Sequence, residues 1–297
     1  LIARNWVFLP MLCSVVFVAS VRAGTLEDNL SAYTDQTAEG YLKPLQTAFG
    51  QGLNSNLFTS AAVPGIGFHA RLDIKAMSML YDDADKTFTA TTGGDFAPPQ
   101  QVQVPTAVGP TESVIVDGDA GTQYIFPGGF DLSSFSFGVP QLTVSGLGTE
   151  VMVRWLGFRS GTEEVGDVSL FGVGIRHNIS HYVPSLGFDV SAGLYYNKFD
   201  VDTDLVNVET YSFGVQASKS FPILSPYGAL SYDTVEMSSV YTANTGAGEE
   251  TIHLDLKTEK TFHATGGANM NLGIFHANGA LEFAKHFGVS LGVGVGF

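Results

Sequence analysis

Phe287-Gly288-Val289-Ser290-Leu291-Gly292-Val293-Gly294-Val295-Gly296-Phe297 alternates a bulky apolar residue with glycine or serine over its whole length. Successive side chains of a β-strand face opposite sides. Phe287, Val289, Leu291, Val293, Val295 and Phe297 therefore share one face, and the small residues share the other. A strand in a membrane barrel must show hydrocarbon on one side and an enclosed lumen on the other. An alternating apolar strand that ends on an aromatic resembles the C-terminal signal read by the outer-membrane insertion machinery. It predicts that machinery as a partner.

The same period recurs upstream. Ile66, Phe68, Ala70, Leu72, Ile74 and Ala76 alternate with Gly67, His69, Arg71, Asp73 and Lys75. Phe188 to Asn197, Tyr211 to Ser218 and Phe262 to Leu272 repeat the pattern. Turn residues divide the chain into strands near 64–80, 133–145, 149–160, 166–180, 187–200, 205–219, 225–240, 252–271, 273–284 and 286–297. The expected fold is all-β: an antiparallel transmembrane barrel of about ten strands, within a range of about eight to fourteen. Val139-Pro140-Gln141 predicts a bulge in the second of these strands, because proline has no ladder donor.

Residues 1–23 read as a signal peptide: Arg4, an apolar stretch from Trp6 to Val21, then Val21-Arg22-Ala23. Cys13, the single cysteine, falls inside it, so the chain after residue 23 has no thiol or disulfide chemistry. Removing Arg4 and Arg22 from 14 basic residues leaves 12 against 29 acidic ones, a balance of −17. Such a charge excludes nucleic acid as a partner. The expected location is the bacterial outer membrane, with its lipid and lipopolysaccharide as partners.

Residues 24–60 read as a short helical segment. Tyr41, Leu42, Leu45 and Phe49 form one stripe, and Pro44 weakens a long helix. The segment is expected to cap the periplasmic mouth, to lie against the barrel base, or to enter the lumen as a plug. Residues 61–297 form the barrel, with a long outside loop at 82–132 in which 113–116 and 123–126 suggest a hairpin. Acidic connections at Asp82, Asp83 and Asp85, at Glu163, Glu164 and Asp167, at Asp202 and Asp204, and at Glu249 and Glu250 are expected on that same side.

Candidate solute-binding residues follow from the inward face. His69, Arg71, Asp73, Lys75, His263, His276 and Glu282 fall where the barrel closes, and Glu150, Arg154 and Arg176 lie on the opposite wall. The three histidines are expected at similar heights in the periplasmic half, and Arg71 and Glu282 are expected to pair with each other. The stripe is either a solute site or a polar network that fills a narrow barrel. Gly292-x-Gly294-x-Gly296 and Gly172-x-Gly174 lie within strands, so they are seats for neighbouring side chains and not nucleotide loops. Asp200-x-Asp202-x-Asp204 opens like a calcium loop, but Leu205 and Tyr211 replace its glycine and glutamate. His177, Ser180 and His181 carry no recognisable catalytic spacing. No enzyme activity, cofactor or metal is expected.

Asn29-Leu30-Ser31-Ala32-Tyr33-Thr34 and Thr37-Ala38-Glu39-Gly40-Tyr41-Leu42-Lys43-Pro44-Leu45 resemble the N-terminal block of an uncharacterised family of outer-membrane barrels. Phe126-Pro127-Gly128-Gly129-Phe130-Asp131-Leu132, Pro140-Gln141-Leu142-Thr143-Val144 and Gly214-Val215-Gln216-Ala217-Ser218-Lys219 resemble its later blocks. The resemblance spans nearly the whole chain after residue 23 and implies the barrel fold, but no activity. The layout is also loosely similar to long-chain fatty-acid transporters, which have more strands and an N-terminal plug. Two functions remain open: passage of a small solute, hydrophobic by that analogy, through a partly plugged lumen, or a sealed structural barrel acting through its long outside loop.

Overall fold

The computed structural model describes residues 23–33, 35–93, 96–158, 167–182, 186–202, 204–245 and 248–296. Residues 1–22 of the stretch expected to be a signal peptide, Glu163, Glu164, Pro184 and Phe297 lie outside them. Among the described residues no helix is long and apolar enough to cross a membrane.

Ten strands close into an antiparallel barrel, as the alternation predicts. They are β1 (Phe68–Leu80), β6 (Ser134–Gly146), β7 (Thr149–Phe158), β8 (Val168–Asn178), β9 (Asp189–Val201), β10 (Val206–Ser218), β11 (Leu224–Thr245), β13 (Glu259–Leu272), β14 (Phe275–Phe283) and β15 (Phe287–Gly296). Each pairs with the next, and β15 closes on β1 from Arg71↔Gly296 to Met79↔Gly288. One end carries tight turns such as 147–148 and 273–274 and the C-terminal end of β15; the other carries the long connections. These are called the turn end and the loop end.

The outward face is apolar as expected. On β15, Phe287, Val289, Leu291, Val293 and Val295 are all exposed on the protein surface. Near the loop end, outward aromatics meet in register as Trp155↔Phe171, Tyr196↔Tyr211, Tyr232↔Phe262 and Phe283↔Phe287. Phe68, Tyr182, Phe188, Phe221 and Phe275 stand exposed towards the turn end. Paired aromatic girdles flanking an apolar band characterise membrane barrels. Nine-residue β14 rises roughly 23 Å at about 3.4 Å per residue and about 40° of tilt, close to the band of about 25 Å.

Two expected strand details differ. The stretch read as one strand at 252–271 is β12 (Gly248–Asp255) followed by β13, both lying along β11. Ser238 pairs with Asp255 and Val235 with Glu259, so residues 236–237 face residues 256–258. Two residues against three is a bulge, and it reverses which side chains face inward. Pro140 causes no bulge: the β1–β6 register runs unbroken through Ile74↔Pro140. Instead the β6–β7 ladder stops at Gln141↔Arg154, where the next residue on β6 is Pro140, which has no N–H to give.

The 82–132 connection and the N-terminal helices form a dome over the loop end. Beside the expected hairpin, β4 (Val114–Asp117) with β5 (Gln123–Phe126), there is a second, β2 (Thr87–Thr91) with β3 (Gln101–Pro105). Helix α1 (Ala23–Leu30) and helix α2 (Asp35–Leu53) share one apolar core with these hairpins and with the upper wall. Tyr33 and Tyr41 stack at 5.0 Å, and the Tyr41 hydroxyl donates to the Gly128 carbonyl at 3.0 Å. Burial pushes the Tyr41 phenol up to about 12. Helix α2 runs through Pro44, because packing of its apolar stripe outweighs the lost hydrogen bond. Gly50 lets that stripe approach the wall: a Cβ there would lie 2.2 Å from Val235 Cγ2.

Candidate functional site

The segment before β1 runs the length of the lumen, and it enters from the loop end. Helix α2 reaches the barrel at Gln51, whose side chain donates to the His286 carbonyl and accepts from the His286 N–H, at the β14–β15 turn. Residues 54–64 then descend to the turn end, where the Pro64 carbonyl accepts from the Gly148 N–H at 2.9 Å. Residues 54–64 thus lie inside the barrel, while α1 and the start of α2 pack in the dome. A cap on the mouth where β1 begins is overturned, because the helices pack with the dome at the opposite end.

Arg154 ends the helix. Its guanidinium donates to the carbonyls of Leu53, Ser55 and Asn56 at 3.2, 3.1 and 2.7 Å, and to Gln141 at 2.7 Å. A cation on the last helical carbonyls opposes the helix dipole and satisfies its orphan acceptors. Asn56 adopts a left-handed φ of 54°, which asparagine tolerates. Its N–H donates to Glu282, its amide donates to the Leu291 carbonyl, and Asn278 donates to it at 2.8 Å. Asn54 accepts from Asn197 and Thr210. Lower down, Gln216 holds the Ser60 carbonyl, Ser218 the Ala61 N–H, and Asn178 the Ala61 carbonyl. The segment is thus hydrogen-bonded to β7, β8, β9 and β10 on one side and to β14 and β15 on the other.

The inward charges pair, but not as the sequence reading expects. Arg71 meets Asp73 at 2.7 Å, with Lys75 3.9 Å from the same carboxylate and donating to Asn278. Arg176 meets Glu150 at 2.5 Å. Glu282 belongs to His263, not to Arg71: the imidazole lies 3.0 Å from Asp233 and 3.1 Å from Glu282. Thr265 and Ser290 add hydroxyl donors to Glu282. An imidazole between two carboxylates satisfies both only when both ring nitrogens carry protons. His263 lies in the loop half of the wall, while His69 and His276 sit at the turn end, so the three are not level. The cause is strand direction: β13 descends from the loop end, so its early residue is high. Gly292 and Gly294 are seats, as expected: a Cβ there would lie 2.2 Å from Asn278 Oδ1 and Asp73 Oδ1 respectively.

A vestibule of about 290 Å³ opens at the turn end, lined among others by His69, Arg71, Glu150, Asn269, Asn271 and His276. His276 pairs with Asn271 at 2.7 Å. Of the sequence candidates, His69, Arg71, Glu150 and His276 line the vestibule, Asp73, Lys75 and Arg176 are buried in ion pairs beside it, Arg154 forms the clamp, and His263 and Glu282 join Asp233 in a triad. Asp233 was not singled out from the sequence. Ser180 gives its hydroxyl to Asn178, and His177 contacts Thr149 and Tyr182, so these two are not brought together. Asp200 is engaged by Asn207 and Lys198, and Asp202 accepts from the Asp167 N–H.

Sequence reasoning missed the apolar upper lumen. Phe135, Phe137, Leu170, Phe199, Val206, Val208, Val235 and Met237 face inward and wrap α2. Phe49 of α2 meets Phe135 at 4.3 Å and Phe199 at 4.9 Å. The signal lies in the chain: on β10 apolar residues are outward at Tyr211, Phe213 and Val215 but inward at Val206 and Val208. The polarity of the two faces inverts at the girdle although the strand geometry does not change, because lipid ends there.

Among solved structures the chain is similar to OmpT, an outer membrane protein of Vibrio cholerae (9% identity, 78% of this chain and 98% of that one, TM-score 0.26). It is similar to the translocator domain of the autotransporter NalP from Neisseria meningitidis (13%, 90% and 99%, TM-score 0.28). It is also similar to the Ralstonia pickettii toluene transporter TbuX (8%, 82% and 92%, TM-score 0.28). No curated protein matches. The model of a family described as a family of unknown function, DUF6588, matches residues 3–297, and the chain belongs to that family.

Proposed function

We propose that the protein resides in the bacterial outer membrane, turn end in the periplasm, as a sealed barrel that acts at the cell surface through its dome. One observation carries this reading: residues 54–64 fill the lumen while α2, the dome and the upper wall share a single apolar core. Uniting these elements makes the closed state the cheap one, since each buried Phe or Leu contributes about 1.5–3 kcal/mol. Contact with lipid and lipopolysaccharide, and delivery by the barrel assembly machinery, belong to the same reading. No reaction is part of it.

Two measurements test it. After residue 23 the chain has no cysteine, so Ile115→Cys, on the exposed dome hairpin, is a unique label site. A membrane-impermeant maleimide should label it on intact cells. In planar bilayers the protein should be silent, both intact and as Arg154→Met. Protection of the cysteine, or stepwise conductance from the intact protein, refutes the reading.

A second reading is favoured by the wall itself. Arg71, Asp73, Lys75, Glu150, Arg154, Arg176 and Glu282 line the membrane-level lumen, and buried charge is costly in a purely structural filling. This supports passage of a small polar solute once residues 54–64 move, in place of the hydrophobic one suggested by analogy. Conductance in Arg154→Met alone would support that reading over the sealed one.

A further inference from the structure

We infer that a notch in the loop-end rim, above Phe262 and Phe283, binds the phosphate headgroup of a membrane lipid. The notch exists because the β14–β15 turn at 284–286 is short while β11 and β13 continue upward beside it. The side of α2 is left uncovered there. The resulting cavity of about 290 Å³ is bordered by Lys43 and Thr47 of α2, by Lys260 and Thr261 of β13, and by Lys285.

Charge complementarity argues for a phosphate. Glu259, half-buried, is one of two acids bordering the notch, and it is shared by Lys43 at 2.8 Å and Lys285 at 3.7 Å. Asp233, the other acid bordering it, is buried and engaged by His263. Three lysines thus face one shared carboxylate, in a chain that carries 12 basic and 29 acidic residues after residue 23. Elsewhere on the same rim the balance is opposite: Lys198 lies between Glu209 at 3.6 Å and Asp200 at 3.7 Å.

Position argues for a lipid as the source of that phosphate. Lys260 stands two residues above Phe262, which is 77% exposed, and Lys285 two residues above Phe283, which is 50% exposed. Both rings belong to the girdle. Acyl chains lying on Phe262 and Phe283 would bring a headgroup to the height of the lysines, where basic residues near a membrane surface attract anionic lipid.

The inference rests on reading these strands as membrane-spanning, and the test separates the two. Flotation with phosphatidylcholine vesicles reports on the membrane reading alone. For the site, the folded protein in detergent micelles is offered phosphatidic acid, phosphatidylcholine or inorganic phosphate, and retained ligand is read by native mass spectrometry. The expected result is retention of phosphatidic acid about tenfold above phosphatidylcholine. Lys43→Gln/Lys260→Gln/Lys285→Gln should abolish that preference while Lys198→Gln keeps it, with both variants showing the intact protein's heat-modifiable gel migration. Equal retention by the triple variant, or no preference over phosphatidylcholine, overturns the proposal. Inorganic phosphate held as tightly as the lipid also overturns it, by making this a free-anion site. Should the triple variant misfold, Lys260→Gln alone, on an exposed side chain, must still lower the preference.

Discussion

The Arg154 guanidinium grips the backbone of Asn56, with Nη2 2.7 Å from its carbonyl oxygen, at the point where a helix becomes an extended lumen segment. Arg154→Met keeps the bulk and leaves the carbonyls of Leu53, Ser55 and Asn56 without that donor. A buried acceptor left unmade costs about 1–3 kcal/mol, so a loss of about 2–5 kcal/mol is expected. The urea midpoint in micelles measures it. A change below about 0.5 kcal/mol, the ordinary range for an inert surface site, contradicts the clamp.

His263 bridges two buried carboxylates, one on each ring nitrogen. His263→Ala should cost about 3–5 kcal/mol, because Asp233 and Glu282 are left as uncompensated charges. Adding Glu282→Gln should recover part of that loss, and a double-mutant cycle on denaturation midpoints reports the coupling. Strict additivity of the two changes would show that the contacts do not act as one unit.

Gly50 pits helix preference against packing. Gly50→Ala gains up to about 1 kcal/mol from helix propensity, yet its Cβ would meet Val235. Overpacking costs about 1–3 kcal/mol, so the net change is expected to be destabilising. A higher melting temperature for the variant would show that α2 does not lie this close to β11.

Alkali should loosen the dome before the barrel. The Tyr41 phenol is raised from 10.0 to about 12 by burial, so its contribution is complete below about pH 10 and is lost as pH rises towards 12. Absorbance at 295 nm should show a late-titrating tyrosine class, and Tyr41→Phe should remove one member of it. A single uniform transition near pH 10 would contradict the buried dome core.

What the sequence disclosed is set by which environment imposes a pattern. Lipid accepts only apolar side chains, so Phe287 to Val295 and Phe188 to Tyr196 declare the outward face without help. The dome hairpin at 113–126 was legible, whereas Thr87 to Thr91 against Gln101 to Pro105 was hidden by the prolines between them. The inward face is read less easily because its partner is the chain itself. Phe135 and Phe199 are apolar because α2 lies against them, and nothing local reveals that α2 enters from that side. The heights of His69, His263 and His276 depend on strand direction and on the bulge at 256–258, which one-residue periodicity does not resolve. Inward orientation of the charged candidates was therefore legible, but their pairing was not.

The path of residues 35–64 imposes an order on biogenesis. Once the barrel is closed, a stretch that enters one mouth and leaves by the other to become the first wall strand could reach this path only if both helices passed unfolded through the lumen. Laying it in the cleft of an unfinished sheet, before the first and last strands zip together, needs no such passage. Closure of that seam is therefore the step that traps it, and any factor that delays the seam controls whether the dome reaches the far side.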